Sequence, residues 1–264
     1  MSRVALHDLD GYIYAIGAIS EKVYYTVDDL RFDYKSQAND YCEETNKNLD
    51  AIGREVEAEP VSHALNAIKI TVDAATEAAG CDSAELYLSP TGTENFRFSI
   101  YPEYKANRAA SHKPVHYKAL RDYAVKHMGA EICPAMEADD MLAIRANELG
   151  QDRFVIITND KDLFQVPGRF YDWKKKKTVD MDEEGSRLCL YMQVLTGDSI
   201  DNIKGCKGIG PAKAAHALKH AADDVEMLEV CKWLYLKAHK FDEEAAMADL
   251  KLNIRLVRML QERP

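Results

Sequence analysis

Arg153-Phe154-Val155-Ile156-Ile157-Thr158 is the most constraining stretch of the chain, an apolar strand followed at once by two acids, Asp160 and Asp162. Side chains of a strand alternate between two faces, so an apolar run without alternation must be covered on both. Ala138–Leu149, just before it, reads as a helix with Met141, Leu142, Ile144 and Leu149 on its apolar side. Val4-Ala5-Leu6-His7 is a short buried strand that delivers Asp8 at its end, and Ala84–Leu88 is another, followed by the turn Ser89-Pro90-Thr91-Gly92. Pro60 opens a helix with Val61, Leu65, Ile68 and Val72 at helical spacing, and Gly80 ends it. Strands alternating with helices predict an α/β fold, a mainly parallel central sheet flanked by helices. Tyr12–Ile19 is apolar and either starts a helix or continues irregularly. Residues 21–59 are polar and acidic, with Tyr24–Val27 as a strand candidate. Lys174–Lys177 forms the charged tip of a hairpin, a feature more often a solvated turn than a DNA contact. Beyond about Glu183 the strands stop and the chain is helical, broken by Gly205, Gly208 and Gly210.

The acids fall at the ends of these elements. Asp8 and Asp10 follow the first strand, Glu137, Asp139 and Asp140 open a helix, Asp160 and Asp162 follow the apolar strand, and Asp198 and Asp201 stand three apart. In a parallel sheet the carboxyl ends of the strands line one crevice. Residues two apart share a face in extended chain and residues three apart share one in a helix, so each pair has a common target. A single acid at a helix start or after a strand is ordinarily a cap or turn residue. The convergence of all the groups carries the argument. Carboxylates crowded this way repel, and hard divalent cations offset the repulsion. Ligation by oxygen alone selects Mg²⁺ or Mn²⁺ over zinc, and two such ions about 4 Å apart suit phosphoryl transfer.

Asn202–Ala215 carries the second signal, with Gly208 and Gly210 for a tight turn, Pro211 at a first helical position and Lys213 one turn in. Amides at such a helix start face outward and suit a phosphate, which is how a helix-hairpin-helix grips a strand without reading bases. Tyr101–Met128 is basic within an acidic protein: Lys105, Arg108, Lys113, Lys118, Arg121 and Lys126 interleave with Tyr104, Tyr117 and Tyr123. The net charge of −10 argues against a nucleic-acid partner only if the acids are spread evenly, since bound metal neutralises a cluster. No apolar run nears the ~18 residues of a membrane span, and the start of the chain lacks a basic, apolar leader, so an intracellular (cytoplasmic) protein is expected. The six cysteines are scattered without a C-x-x-C pair, which disfavours zinc and disulfides.

The segments 101–108, 137–140, 158–163 and 197–214, in this order and spacing, resemble the flap endonuclease and 5′-3′ exonuclease family, and the short length resembles its stand-alone bacteriophage members. The resemblance spans most of residues 1–220. It implies an α/β 5′ nuclease (PIN-like) domain over 1–183, with a helical arch at about 104–128. A helical helix-hairpin-helix DNA-binding domain over 184–264 follows. By the same resemblance Asp8, Glu137, Asp139, Asp140, Asp160, Asp162, Asp198 and Asp201 ligate two Mg²⁺ ions, with Mn²⁺ as a substitute. Lys105 and Arg108 act on the scissile phosphate, Tyr104 packs against the terminal nucleotide and Lys113 belongs to the basic arch. Gly208, Gly210 and Lys213 grip duplex, with a K⁺ ion at the hairpin. The implied substrate is DNA with a 5′ end, flap or nick, or an RNA primer, bound by a monomer in the cytoplasm (the host's, for a phage protein). One departure is visible, because Ser89-Pro90-Thr91-Gly92 stands where many members carry a further Asp, leaving water for a carboxylate at one metal. Residues 20–59 and the tail beyond about 222 match no pattern. A PIN-type ribonuclease lacks the glycine-rich hairpin, and a non-catalytic binder of branched DNA has lost its metal ligands; both fit less well.

Overall fold

A computed structural model of the chain describes residues 2–108 and 112–263. The chain begins with β1 (Val4–Asp8), α1 (Leu9–Ile19), β2 (Glu21–Val27), β3 (Leu30–Phe32), α2 (Lys35–Glu44), β4 (Gly53–Ala58), α3 (Val61–Ala78) and β5 (Ser83–Leu88). It continues through α4 (Phe96–Ile100), α5 (Tyr117–His127), β6 (Glu131–Ile132), α6 (Ala138–Leu149), β7 (Phe154–Ile157), β8 (Gly168–Asp172) and β9 (Lys177–Met181). Helices α7 (Glu183–Thr196), α8 (Pro211–Leu218), α9 (Asp224–Ala238) and α10 (Glu243–Val257) follow. Two compact units divide these elements. One holds the described residues of 1–10, 73–111 and 130–264, the other those of 11–72 and 112–129.

The first unit carries a six-stranded sheet in the order β6-β5-β1-β7-β8-β9, parallel except for the β8–β9 hairpin. The α/β class expected from the sequence is the one observed. From β1 the chain moves to β5 and β6 on one side, then returns to β7 and β8 on the other. The order reverses between β1 and β7, and the connections leaving those strands part there, which opens a crevice at their carboxyl ends. Leu6, Ile156 and Phe170 of the sheet pack with Met141, Leu142 and Ile144 of α6. A second core joins Val194 and Leu195 of α7, Leu218 of α8, Tyr235 of α9 and Leu250 of α10, and Tyr104 lies within it. Each such side chain contributes about 1.5–3 kcal/mol on burial. Among the described residues no helix is long and apolar enough to cross a membrane.

The second unit departs from expectation. Residues 21–59 hold an antiparallel sheet in the order β3-β2-β4, with Val27 packed on Ala38 and Cys42 of α2. Its polar composition reflects one solvated face, on which Arg31 pairs with Glu57 at 2.7 Å and stacks over the Tyr24 ring at 3.3 Å. Acids of this polar stretch are partners of Arg31 across the sheet. Of the expected arch, residues 104–108 belong to the first unit and 112–128, including α5, to the second. Residues 109–111 lie outside the described residues.

The loop between α7 and α8 folds back on itself through paired backbone hydrogen bonds between Asp198 and Ile203. Gly197 and Gly205 permit this, both at positive φ (67° and 62°), and a Cβ on Gly197 would stand 2.2 Å from Ile203 O. Gly210 has open space around its Cβ position. We expect Gly197→Ala to cost on the order of 2–4 kcal/mol, since strain and clash combine. Gly210→Ala should cost less than about 1 kcal/mol. Chemical denaturation of both variants checks the difference, and equal losses would refute it.

Candidate active site

The crevice assembles from ends of elements. Asp8 closes β1 and accepts the Asp10 amide at 3.0 Å. Asp10 in turn accepts the Ser89 amide at 2.9 Å, just past β5, and Ser89 Oγ accepts the Ala138 amide at 3.0 Å, at the start of α6. This relay ties the ends of β1 and β5 to the helix that Glu137 and Asp139 open. After β7, the Asp160 amide donates to Thr158 Oγ1 at 3.0 Å and the Asp162 amide to Asp160 Oδ1 at 2.9 Å, so a tight turn follows the strand. In the α7–α8 loop, Asp198 Oδ1 accepts the Ile200 amide at 2.7 Å and so fixes the turn that carries Asp201.

The electrostatics reveal which acids feel one another. Asp139 is driven well above the usual carboxylate range by burial, then by Asp8, Asp160 and Glu137, with Lys105 opposing. Its Oδ1 is buried and has no hydrogen-bond partner. Asp162 is pushed up to about 7 by burial and by Asp160, Asp198 and Asp201. Two groups of carboxylates emerge, one around Asp139 and one around Asp162, and Asp160 acts on both.

Cations and one hydroxyl relieve part of this charge. Lys105 Nζ pairs with Glu137 and lies 3.4 Å from Asp201 Oδ2, and Arg108 pairs with Asp201. Burial pushes Glu137 up, but Lys105 and Arg97 outweigh it and leave the carboxyl below its usual range. Burial raises Asp201, with Lys105 and Arg108 opposing. The segment carrying the two cations is stitched to the Asp201 loop, with the Lys105 amide on Asp201 O at 3.0 Å, Asn107 Nδ2 on Ser199 O at 2.8 Å and Asn202 Nδ2 on Glu103 O at 2.8 Å. Lys105 and Asn202 both hold positive φ, a strain concentrated at this junction.

Two sequence expectations need correction. Asp140 is fully buried, and the Arg97 fork holds both its oxygens, at 2.6 and 2.9 Å. Its carboxylate also accepts the Glu137 and Leu260 amides, so it is committed to the scaffold and is not offered to an ion. Tyr104 is only 1% exposed, and its hydroxyl lies 2.8 Å from Glu137 Oε2 and 2.7 Å from Asp201 Oδ2. Its ring is core and its hydroxyl bridges two acids, which leaves no face for a nucleotide. Lys113 is exposed in the second unit, 4.6 Å above the Tyr117 ring. Lys213 Nζ donates to Gly208 O at 2.9 Å, and Gly208 and Gly210 have open space where a Cβ would stand.

The sequence reading missed Arg97, the buried counter-charge of Asp140, although a lone arginine between Phe96 and Phe98 is a signal of a paired interior cation. It also gave Asp10 a minor place. Asp10 reaches the end of β5, where the family pattern has an extra acid and this chain has Ser89.

Among the described residues no three or more His, Cys, Asp or Glu side chains are gathered so that, as they stand, they could hold a metal ion. The donors still suit hard cations. They are oxygens, one is buried without a partner, and Mg²⁺ needs only one or two carboxylates because it keeps several waters. Lys105 and Arg108 meanwhile hold Glu137 and Asp201.

Residues 50–187 match the family described as 5′-3′ exonuclease, N-terminal resolvase-like domain. DNA polymerase I of Rhizobium leguminosarum is 31% identical over 154 residues, which are 52% of this chain and 15% of that protein. The 5′-3′ exonuclease of Aquifex aeolicus is 29% identical over 182 residues, 62% of this chain and 60% of that one. The matched stretch thus spans less than two thirds of either relative. A bacteriophage T5 flap endonuclease, solved as a pseudo-enzyme-product complex with DNA and metal ions, has a similar fold. That likeness covers 97% of this chain and 88% of that one, with a TM-score of 0.59 and 16% identity.

The raised Asp139 has a consequence for stability. A carboxyl lifted above its unfolded value favours the fold at low pH, and that stability is lost as pH rises. We expect Asp139→Asn to raise the Tm of the protein in EDTA most at pH 8, with the gain shrinking towards pH 5. Thermal melts across that range test it, and a gain independent of pH would contradict the crowding.

Proposed function

Because this chain belongs to the 5′-3′ exonuclease family, we propose that its acidic crevice hydrolyses phosphodiester bonds at or near 5′ ends of DNA, with divalent metal ions as cofactor. The observation that carries this reading is Asp139 Oδ1, a buried oxygen without a partner in a group that includes Asp8, Asp160 and Glu137. Charge crowding of this kind is tolerable when ions fill it. The phage T5 structure that shares the fold was solved with DNA and metal ions, which supports the same partners here.

Asp8, Glu137, Asp139 and Asp160 would hold one ion and Asp160, Asp162, Asp198 and Asp201 a second, with Mg²⁺ preferred and Mn²⁺ able to substitute. Ions there would supply Lewis-acid polarisation of the phosphate and lower the pKa of water. The chain's own residues do the rest. Lys105 and Arg108, now paired with Glu137 and Asp201, bring two positive charges to the place where the scissile phosphate gathers charge. Tyr104 keeps Glu137 and Asp201 at a fixed separation through its hydroxyl.

Residues 184–264 serve as the duplex grip and 1–183 as the catalytic part. The turn at Gly208 and Gly210 leaves room for a phosphate backbone, α8 starts on Pro211 without a side-chain cap, and Lys213 is exposed beside it. A K⁺ ion at this hairpin, a single-strand contact at Lys113 and action as a cytoplasmic monomer belong to the same reading. RNA primers and 5′ flaps are the substrates to compare with nicked DNA.

Asp139→Asn and Asp160→Asn should each lower Mg²⁺-dependent cleavage by roughly a thousandfold or more, with duplex affinity in EDTA within about threefold of wild type. Assays on 5′-flap, nicked and blunt duplexes with matched RNA and DNA strands measure both quantities. Cleavage retained by either variant would overturn the ligand assignment. Lys105→Ala should lower kcat by about 10²-fold with little change in KM, since its charge acts on the reacting group. Single-turnover rates at saturating substrate decide this, and an effect on KM alone would reassign Lys105 to binding.

A further inference from the structure

Apart from Asp8 at the end of β1, the acids sit on three separate segments, 137–140, 160–165 and 197–205, and residues 253–260 are hydrogen-bonded to each. Asn253 is buried in α10, and its Oδ1 accepts the Gly205 amide at 3.2 Å, at the end of the loop carrying Asp198 and Asp201. Its Nδ2 donates to Asp249 O at 3.0 Å, which fixes the orientation of the amide. Gln165 ends the turn that begins at Asp162, donates to Val257 O at 2.8 Å and accepts the Met259 amide at 3.2 Å. Arg97 donates to Leu256 O at 2.8 Å and Arg258 O at 3.3 Å while its fork holds Asp140. Asp140 completes the circuit by accepting the Leu260 amide at 3.1 Å and the Glu137 amide at 3.1 Å.

Leu256 and Val257 end α10, where carbonyls lack partners inside the helix. Gln165 of an acid-bearing segment and Arg97, which holds Asp140, satisfy them. Apolar contacts follow the same path, with Leu256 and Val257 in the helical core and Met259 in the core of the sheet.

We propose that residues 253–260 form a positioning strap, a single stretch of chain that holds the three acid-bearing segments in register with one another. Its functional consequence, ordered carboxylates for divalent ions, rests on the reading given above. Asn253 and Gln165 are positioning residues that act through main-chain groups, and Arg97 is one that acts chiefly through the Asp140 carboxylate. Loosening the strap at one tie releases all three segments.

The test uses full-length Gln165→Leu and Asn253→Leu, with Val27→Ala, a core truncation in the other unit, as the control for lost stability. Each strap variant should speed amide exchange about threefold or more in 137–142, 160–165 and 198–205 together. Each should also raise the Mn²⁺ concentration for half-saturation about tenfold, the scale on which supporting residues act on metal affinity. Duplex binding in EDTA should stay within about twofold, and the control should move none of these. Faster exchange confined to the segment beside the altered side chain overturns the strap. Unchanged Mn²⁺ binding with all three segments loosened also overturns it, since the acids would not depend on it. A wild-type chain that binds no Mn²⁺ while the three segments still loosen together sinks the metal reading and leaves the strap standing.

Discussion

Repulsion among carboxylates at the carboxyl ends of β1 and β7 is the constraint on which the rest of the structure depends. Two like charges about 5 Å apart at an effective dielectric of about 20 repel by about 3 kcal/mol. A few such pairs left unrelieved would match the whole ~5–15 kcal/mol by which a domain is stable. The protein offsets them in three ways. Lys105 and Arg108 neutralise Glu137 and Asp201, Tyr104 donates its hydroxyl between the same two acids, and Asp139 and Asp162 are held towards their protonated forms. Arg97 removes a further charge from the account by burying Asp140 in a bidentate pair. Such a pair contributes little net stability but fixes geometry, and removing one partner is severe.

The topology decides where that charge can gather. Because β1 lies between β5 and β7, the strand order reverses there and the carboxyl ends of β1 and β7 adjoin. Asp8 arrives by the shortest route, as the last residue of β1, with Asp160 three residues beyond Ile157, the last paired position of β7. The helical core behind α7 then presents the Asp198–Asp201 loop, held by the glycines at 197 and 205 that let two backbones approach. Lys105 is placed by that loop, since its own amide is bonded to Asp201 O.

Period-based reading recovered the sheet, α6 and the acids wherever the signal was local. β7 is an apolar run with no competing interpretation, and Pro211 starts α8 for the reason that any proline suits a first helical position. Failures occurred where the meaning of a residue depends on a partner far along the chain. Asp140 looks like its neighbour Asp139 until Arg97, 43 residues away, is seen to occupy it. Tyr104 sits in a basic, aromatic stretch, but its ring belongs to the core formed with α7 and α9. Of the sheet of residues 21–58 only the Tyr24–Val27 part of β2 was legible, for a related reason. Its strands pair across a small core of Val27, Ala38 and Cys42, and most of their side chains face water, so no apolar alternation stands out.

The family match ends at residue 187, before Asp198 and Asp201, and begins well after Asp8. Asp8, Asp198 and Asp201 therefore lie outside the matched residues, and part of the crevice's geometry is set by contacts that leave no motif. Asn253 bonds a backbone amide, Gln165 bonds a carbonyl and an amide, and Arg97 bonds two carbonyls. Main-chain groups are present whatever the side chain, so apart from Asn253, whose side chain makes its own tie, the segment 253–260 can serve these partners with almost any sequence that keeps Leu256, Val257 and Met259 apolar. A recognisable catalytic motif can thus depend on an unrecognisable tail. The dependence follows from the orphaned carbonyls at the end of α10 and from Gln165 and Arg97, which reach them from an acid-bearing segment and from the partner of Asp140.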